Sequence, residues 1–577
     1  MNEAVFSGTA FVHGEAFGEI ISSDVELSFW GGVDPASGEV IDRHHPLSGE
    51  ILTGKILAIP GGRGSCSGSG VILELLLNGK GPAAMVIERA DDILTLGVMI
   101  AEEVFGQSIP VVMLDPEDFR RVAAARSAHV RGRHVACGEQ SGALSGLSGG
   151  EDAIASRMML TQADRAILEG ARGKAAQAAM KIVLRMAELQ GADRLIDVTQ
   201  AHIDGCIYTG PGSLAFAQQL RDWGGKVAVP TTLNSISVDH GHWRAQGVDP
   251  AFGEPASQLG DAYVDMGAKP TFTCAPYLLD SAPGQGEQIV WAESNAVVYA
   301  NSVLGARTMK YPDYLDICIA LTGRAPLAGC HIDTNRRATL RINLPELTDL
   351  DDSFYPLLGY HVGLLAANRI PVLAGLEGAS PSQDDLKAFG AAFATTSSAP
   401  MFHIVGVTPE AATVNEATGG EDVPAIDIRI EDLARSWDEL SNAESPAVDL
   451  VSLGNPHFSF QECETLAALC RGRKRHGDVT VIVTCGRATH DKVREAGILS
   501  ELEGFGVRFV MDTCWCMIIE PVIPVGARTI MTNSGKYAHY GPGLTGRAFH
   551  FGSLAACVEA ACTGTAGGGR PSWLQGA

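Results

Sequence analysis

Two groups of residues have types and spacing suited to chemistry. The first is the stretch GGRGSCSGSG, residues 61–70, set between a strand-like run, KILAIP, and a helix-like run, GVILELLLNG. Glycines let backbone N–H groups approach an anion, and a helix N-terminus adds positive potential, so the loop suits a phosphate or a carboxylate. It lacks the lysine of a nucleotide-binding loop. Ser65 and Ser67 are candidate bases, because a serine oxygen beside a helix N-terminus and a cation can be held partly ionised. The competing reading is a tight Ser/Gly turn whose hydroxyls cap the helix. The second group sits at the ends of apolar runs: Cys274 after TFT, Asn455 after VSLG, Cys485 after VIVT, Cys514 after VMDT and Ser534 after IMTN. In open parallel sheets the ligand crevice lies outside the carboxyl ends of the strands, so these positions can converge from distant parts of the chain.

Most of Cys137, Cys206, Cys318, Cys330, Cys463, Cys470, Cys485, Cys557 and Cys562 read as small buried apolar residues, and Cys274 and Cys514 stand apart beside polar sequence. There is no C-x-x-C, no H-E-x-x-H and no zinc-finger spacing. In DTCWC, Cys514 and Cys516 point to opposite sides of a strand unless the chain turns there. Asp239, His240 and His242 lack a further spaced ligand and read as structural, as does His457.

These residues must be positioned by several domains, since 577 residues exceed one hydrophobic core. An apolar content of 46% excludes a disordered chain. A formal net charge of -24 argues against nucleic acid or anionic membrane as partner, both of which need clustered Lys and Arg. The thirteen cysteines are an odd set spread over the whole length, which fits reduced thiols or metal ligation. MNEAVFSGTAFVHGEAF lacks the charged and apolar regions of a secretory leader, and no run reaches the ~18 apolar residues of a membrane span, so the expectation is a cytoplasmic protein. Residues 1–136 read as a small β-rich domain, 137–150 as a Gly/Ser linker, and 151–577 as a large α/β region. In the last, Thr161 and Asp164 have capping-box spacing. The strand candidates there are LIDV, KVAVP, TFTC, AVVYANSV, HIVGV, VDLVSLG, VTVIVTC, VRFVMDTC and ARTIMTNSG.

FWGGVDPASGEVID followed by GGRGSCSGSG resembles the small subunit of the aconitase X family. FTCAPY, AESNAVVYANSVLGARTMKYPD, GRAPLAGCH, VSLGNPHFS, DTCWC and TNSGKYAHYGPG resemble its large subunit. The resemblance covers both halves, in the order expected of a fused form. It implies an aconitase-like α/β fold, with a small β-rich swivelling domain (1–136) fused to a large iron-sulfur region of several sub-domains with parallel sheets (151–577). GRGSC is similar to the superfamily's G-x-G-S-S-R loop, which carries the role of catalytic base onto Ser65. Cys274 and Cys514 match cluster cysteines, and Asn455 stands in LGNPH where two-subunit members have LGCPH. A neutral amide is a far weaker iron ligand than a thiolate, so the resemblance points to a 2Fe-2S cluster, or to Asn455 or Cys516 as substitute ligand.

The implied activity is dehydration of cis-3-hydroxy-L-proline to pyrroline-2-carboxylate. Substrate contacts carry over to Gly205, Cys206 and Ile207 in HIDGCIY, to Asn234 and Ser235 in TTLNS, to Glu293 and Ser294 in AESN, and to Ser534 and Lys536 in TNSGK. Glu293 is expected to hold the ring ammonium and Lys536 the carboxylate. The partners expected are a small cyclic hydroxy amino acid and the iron-sulfur assembly machinery, with no nucleic acid and no membrane. Two other activities compete: mevalonate 5-phosphate dehydration, disfavoured by Asn455 and by the fusion, and iron-responsive RNA binding, disfavoured by the acidic balance.

Overall fold

The run KILAIP forms a strand buried at every position of Ile56–Ile59, and AAMVIE does the same over Ala84–Ile87. Continuous rather than alternating burial is the pattern of inner parallel strands covered on both faces. The computed structural model describes residues 4–42, 45–63, 66–138, 144, 158–567 and 569–575. Ser65 and most of the expected linker 137–150 lie outside the described residues. The chain forms two units: the first comprises 1–231, 261–268 and 311–328, and the second 232–260, 269–310 and 329–577.

In the first unit, eight strands form one mixed sheet in the order Ala4–Ser7, His134–Cys137, Ser127–Arg131, Glu15–Ser22, Ile56–Ile59, Ala84–Ile87, Val111–Met113, Thr9–Val12. The run from Glu15–Ser22 to Val111–Met113 is parallel. GVILELLLNG becomes the helix Gly68–Leu77, buried at nearly every position, as an apolar helix without a polar face must be. The following helix, Asp92–Phe105, is capped by Asp91, whose carboxylate accepts from Leu94 N at 2.8 Å and also from Gly62 N. One buried side chain thus ties the start of the serine loop to a helix N-terminus. The capping box is present: Asp164 N donates to Thr161 Oγ1 (3.1 Å) and Thr161 N to Asp164 Oδ2 (2.9 Å), opening Gln162–Leu168. Glu74, on the Gly68–Leu77 helix, accepts from Gly212 N at the start of Pro211–Asp222. A Cβ on Gly210 or Gly212 would lie within 3 Å of the Glu74 carboxylate, so a side chain at either position would displace Glu74 from this contact.

The second unit holds two parallel sheets. Four strands run in the order His403–Ile404, Pro371–Ala374, Leu340–Asn343, Ala425–Asp427, and five in the order Val507–Met511, Thr480–Cys485, Leu450–Phe458, Thr529–Thr532, Ala548–Phe551. In both, the first strand in sequence lies inside the sheet and the order reverses beside it, which creates a switch point. Three expected strands are absent. KVAVP is a loop leading into Thr231–Leu233, and TFTC is a loop in which Phe272 adopts φ 39°. A bulky residue at positive φ cannot continue a strand. AVVYANSV is helical over Ser294–Tyr299 because the Glu293 carboxylate caps Ala296 N at 2.9 Å, which overrides the β-branched composition.

Candidate functional site

The Leu450–Phe458 strand pairs in parallel with Thr480–Cys485 only as far as Leu453, and the register resumes at Phe458. Between them Gly454 adopts φ 96°, and a Cβ there would meet Thr484 O at 2.2 Å, so glycine is required. The Asn455–Pro456 peptide is cis. Carbonyls released from a ladder must find other donors. Trp515 Nε1 donates to Leu453 O (2.8 Å), Thr484 Oγ1 to Gly454 O (2.6 Å), Ser534 Oγ to Asn455 O and Lys387 Nζ to His457 O (3.4 Å). Ser534 also caps Gly535–Thr545, accepting from Tyr537 N at 3.1 Å. The strand end therefore leaves the sheet with four of its carbonyls held by side-chain donors, and Asn455 sits at the switch point.

Three thiols gather there. Cys514 and Cys516 follow the Val507–Met511 strand in a turn closed by Met517 N on Cys514 O (2.9 Å), and this turn places both sulfurs on one side, where they hydrogen-bond. Cys274 lies near enough to feel the charge of both. Its sulfur accepts from His457 N at 3.3 Å, and Asn455 Nδ2 donates to Cys516 Sγ at 3.4 Å. Burial, together with the neighbouring Cys514 and Glu293, pushes the Cys274 thiol well above its ordinary range. Cys514 is pushed up as well, first by the hydrogen bond it gives to Cys516 and then by burial. Cys516 is pushed down to about 7 by that same bond, with Lys536 and Asn455 assisting against burial. Among the described residues no three His, Cys, Asp or Glu side chains form a ready-made metal cage.

Lys536 Nζ pairs with Glu293 Oε1 at 3.0 Å, both side chains nearly buried. Burial works against each charge, yet each holds the other ionised: Glu293 is driven below the usual carboxylate range and Lys536 well above its own. Asn295 Nδ2 donates to Glu293 Oε2 and to Cys274 O (3.1 Å), and Tyr277 OH donates to Asn295 Oδ1 (2.8 Å). Ser235 hydrogen-bonds Cys514, its N–H donates to Asn234 Oδ1 (2.7 Å), and Ile236 N to Asp512 O (2.7 Å) fixes that loop to the cysteine loop.

Of the residues expected from the sequence, Cys274, Cys514, Asn455, Asn234, Ser235, Glu293, Ser534 and Lys536 come together in the second unit. Ser294, half-buried, is the first residue of the Ser294–Tyr299 helix. Gly205, Cys206 and Ile207 belong to the first unit, in a turn after Ala201–Ile203. There Asp204 N and Gly205 N donate to Asp316 Oδ2 (2.6 and 3.2 Å), and Cys206 is a buried thiol donating to Ile203 O (3.4 Å). Burial and nearby Asp313 raise Asp316 to about 7. Asp239 Oδ1 accepts from His242 N (3.1 Å), and its Oδ2 accepts from Gln246 Nε2 (3.1 Å) and Met511 N (3.3 Å). Asn295 and Tyr277 were not singled out in the sequence. The Asn following Glu-Ser was the available cue.

Four family models match the chain: the aconitase X swivel domain over residues 5–137, its first domain over 157–334, its second over 338–438 and its third over 448–563. A cis-3-hydroxy-L-proline dehydratase of Hypocrea jecorina is 62% identical, covering 97% of this chain and 95% of its own. One of Pseudomonas aeruginosa is 55% identical, covering 98% and 97%. The phosphomevalonate dehydratase large subunit of Methanothermobacter thermautotrophicus is 34% identical over 68% of this chain and 95% of its own. The crystal structure of Thermococcus kodakaraensis aconitase X in its holo-form superposes with a TM-score of 0.64 at 31% identity, covering 70% of this chain and all of that one.

Proposed function

The chain belongs to the aconitase X family, and from that premise we propose that it is a hydro-lyase converting cis-3-hydroxy-L-proline to pyrroline-2-carboxylate. The observation that carries this is the near full-length likeness to two chains described as cis-3-hydroxy-L-proline dehydratases. Asn455 at the switch point, where the split-chain members have cysteine, agrees with it. The proposed organisation is a swivelling domain over 1–136, a linker over 137–150 and a large region of several sub-domains over 151–577, a reading supported by family matches over 5–137, 157–334, 338–438 and 448–563.

The family implies an iron-sulfur cluster, and the donors gathered here suit one. Cys274, Cys514 and Cys516 are soft thiols: burial resists ionisation of Cys274 and Cys514, so a cation bound among them offsets a standing cost, while the bond from Cys514 already holds Cys516 down to about 7. Asn455 turns its N–H toward Cys516 Sγ, which makes it a donor to that sulfur and leaves Cys516 as the third thiol. The preferred cluster is 2Fe-2S. When bound, it supplies a Lewis acid for loss of the hydroxyl.

The protein's own residues do the rest. In cis-3-hydroxy-L-proline the hydroxyl and carboxylate share one ring face, and the hydrogen on the carboxylate-bearing carbon lies on the other. Ser65 takes that hydrogen as a proton from the face away from the leaving group. A zwitterionic amino acid presents a carboxylate and an ammonium, which match Lys536 and Glu293 respectively. Asn234, Ser235, Ser294 and Ser534 are further proposed substrate contacts, as are Gly205, Cys206 and Ile207. The enamine formed tautomerises to the cyclic imine unaided. All thirteen cysteines are free thiols, which suits the cytoplasm and loading by iron-sulfur assembly machinery. Among the described residues no helix is long and apolar enough to cross a membrane.

The test is protein purified without oxygen, with iron and sulfide counted, offered hydroxyproline and mevalonate 5-phosphate separately. Imine from hydroxyproline alone is expected. Turnover of the phosphorylated substrate alone would reverse the assignment.

A further inference from the structure

His457 leaves the sheet on the same bend as Asn455 and is fully buried. Its ring stands between two loops. Nε2 lies 2.8 Å from Thr513 O, a pure acceptor, so Nε2 carries the hydrogen. Nδ1, 3.1 Å from Thr273 Oγ1, is then the acceptor and the threonine hydroxyl the donor. Thr273 directly precedes Cys274, and Thr513 directly precedes Cys514. The backbone N–H of the same histidine donates to Cys274 Sγ at 3.3 Å. A single residue therefore spans the approaches to both cysteines and touches one of the sulfurs.

Its own place is fixed from behind. Lys387 Nζ donates to His457 O (3.4 Å) and is held by Asp384 (2.8 Å) and Glu462, so the bend is anchored to the Gln383–Thr396 helix. Since both ring nitrogens are engaged, the imidazole has no lone pair left for iron. A hydrogen bond to a ligating sulfur withdraws electron density from it, and partners of this kind tune an iron-sulfur centre as well as orient it.

We propose that His457 is a positioning residue for the cluster, its imidazole fixing the separation of the Cys274 and Cys514 loops and its N–H setting the donor strength of the Cys274 sulfur. The inference rests on reading those two cysteines as ligands. A histidine that merely knits loops would alter the melting temperature and leave the spectrum of the bound group untouched.

The experiment compares wild type, His457→Phe, Thr273→Val and Thr273→Ser, each purified without oxygen as the full chain. Iron content, visible circular dichroism, EPR and reduction potential are read beside the melting temperature. The expectation is that His457→Phe and Thr273→Val retain iron about 10- to 100-fold less tightly, with shifted spectra, and that Thr273→Ser, which keeps the hydroxyl, restores both. Should His457→Phe fail to fold, the Thr273 pair decides alone. Folded variants with the wild-type spectrum, potential and iron content would overturn the role of His457 while leaving the cysteine assignment standing. A wild-type protein that holds no iron would remove both together.

Discussion

The second unit contains two parallel sheets with one winding pattern. In each the first strand in sequence sits inside, the second and third follow on one side, and the fourth lies on the other. In each that first strand reaches an asparagine at the switch point, Asn343 in one and Asn455 in the other. There the likeness ends. Asn343 Nδ2 meets Asp427 Oδ1 at the exposed edge (2.7 Å), and Gly375 N meets Glu377 Oε2 close by (2.9 Å), so the four-stranded sheet finishes in solvated polar bonds. Asn455 lies on a strand that breaks its ladder while still buried, and four side chains recover the carbonyls that the break releases. A switch point is thus an opportunity, and it becomes a site only where the fold supplies donors for irregular buried backbone.

This contrast can be broken at several strengths. The largest effect is expected from Cys274→Ala or Cys514→Ala, which should abolish both iron-sulfur absorption and turnover; an unchanged spectrum in both would remove them as ligands. Ser65→Ala should lower kcat about 10²- to 10⁴-fold while the spectrum stays, as measured by imine formation. Lys536→Met strands the Glu293 carboxylate without its buried partner, and urea unfolding should record a loss of about 3–5 kcal/mol.

Acid gives a smaller effect, and it is felt around the four-stranded sheet. Burial, with Arg336 and Arg307 nearby, depresses His331 to about 4. An unfolded histidine takes its proton near 6.5, so this contribution is whole above that pH and is lost as the pH falls toward 4, about 3 kcal/mol in all. Thermal melts across that window should fall for wild type and flatten for His331→Asn. The smallest change should come from Asn343→Ala: no more than about 0.5 kcal/mol, with wild-type turnover. A large loss of activity there would show that the two switch points are not different in kind.

The sequence made the parallel strands legible wherever they are buried on both faces, because VTVIVTC or ARTIMTNSG offers no other way to hide so many apolar side chains. It misled where a local hydrogen bond overrode composition. AVVYANSV has the β-branched content of a strand, but Glu293 caps it into a helix. TFTC reads as a strand end, but Thr271 Oγ1 accepts from Leu233 N (2.9 Å) and Phe272 turns to positive φ. The pairing of Cys514 with Cys516 was hidden for a related reason: alternation separates them, and only the turn at Met517 reunites them. The partnership of Glu293 with Lys536 spans more than two hundred residues, and no spacing rule reaches that far.

The first unit takes in 261–268 and 311–328 as well as the N-terminal stretch. Phe216 packs against Tyr314 with ring centroids 4.9 Å apart, Tyr263 OH reaches Gly205 O at 3.2 Å, and Asp316 secures the Asp204–Gly205 turn. During synthesis, therefore, this unit cannot close when residue 231 leaves the ribosome. It must wait with an open core for about a hundred further residues to emerge, and the nascent chain exposes apolar surface to chaperones throughout that interval.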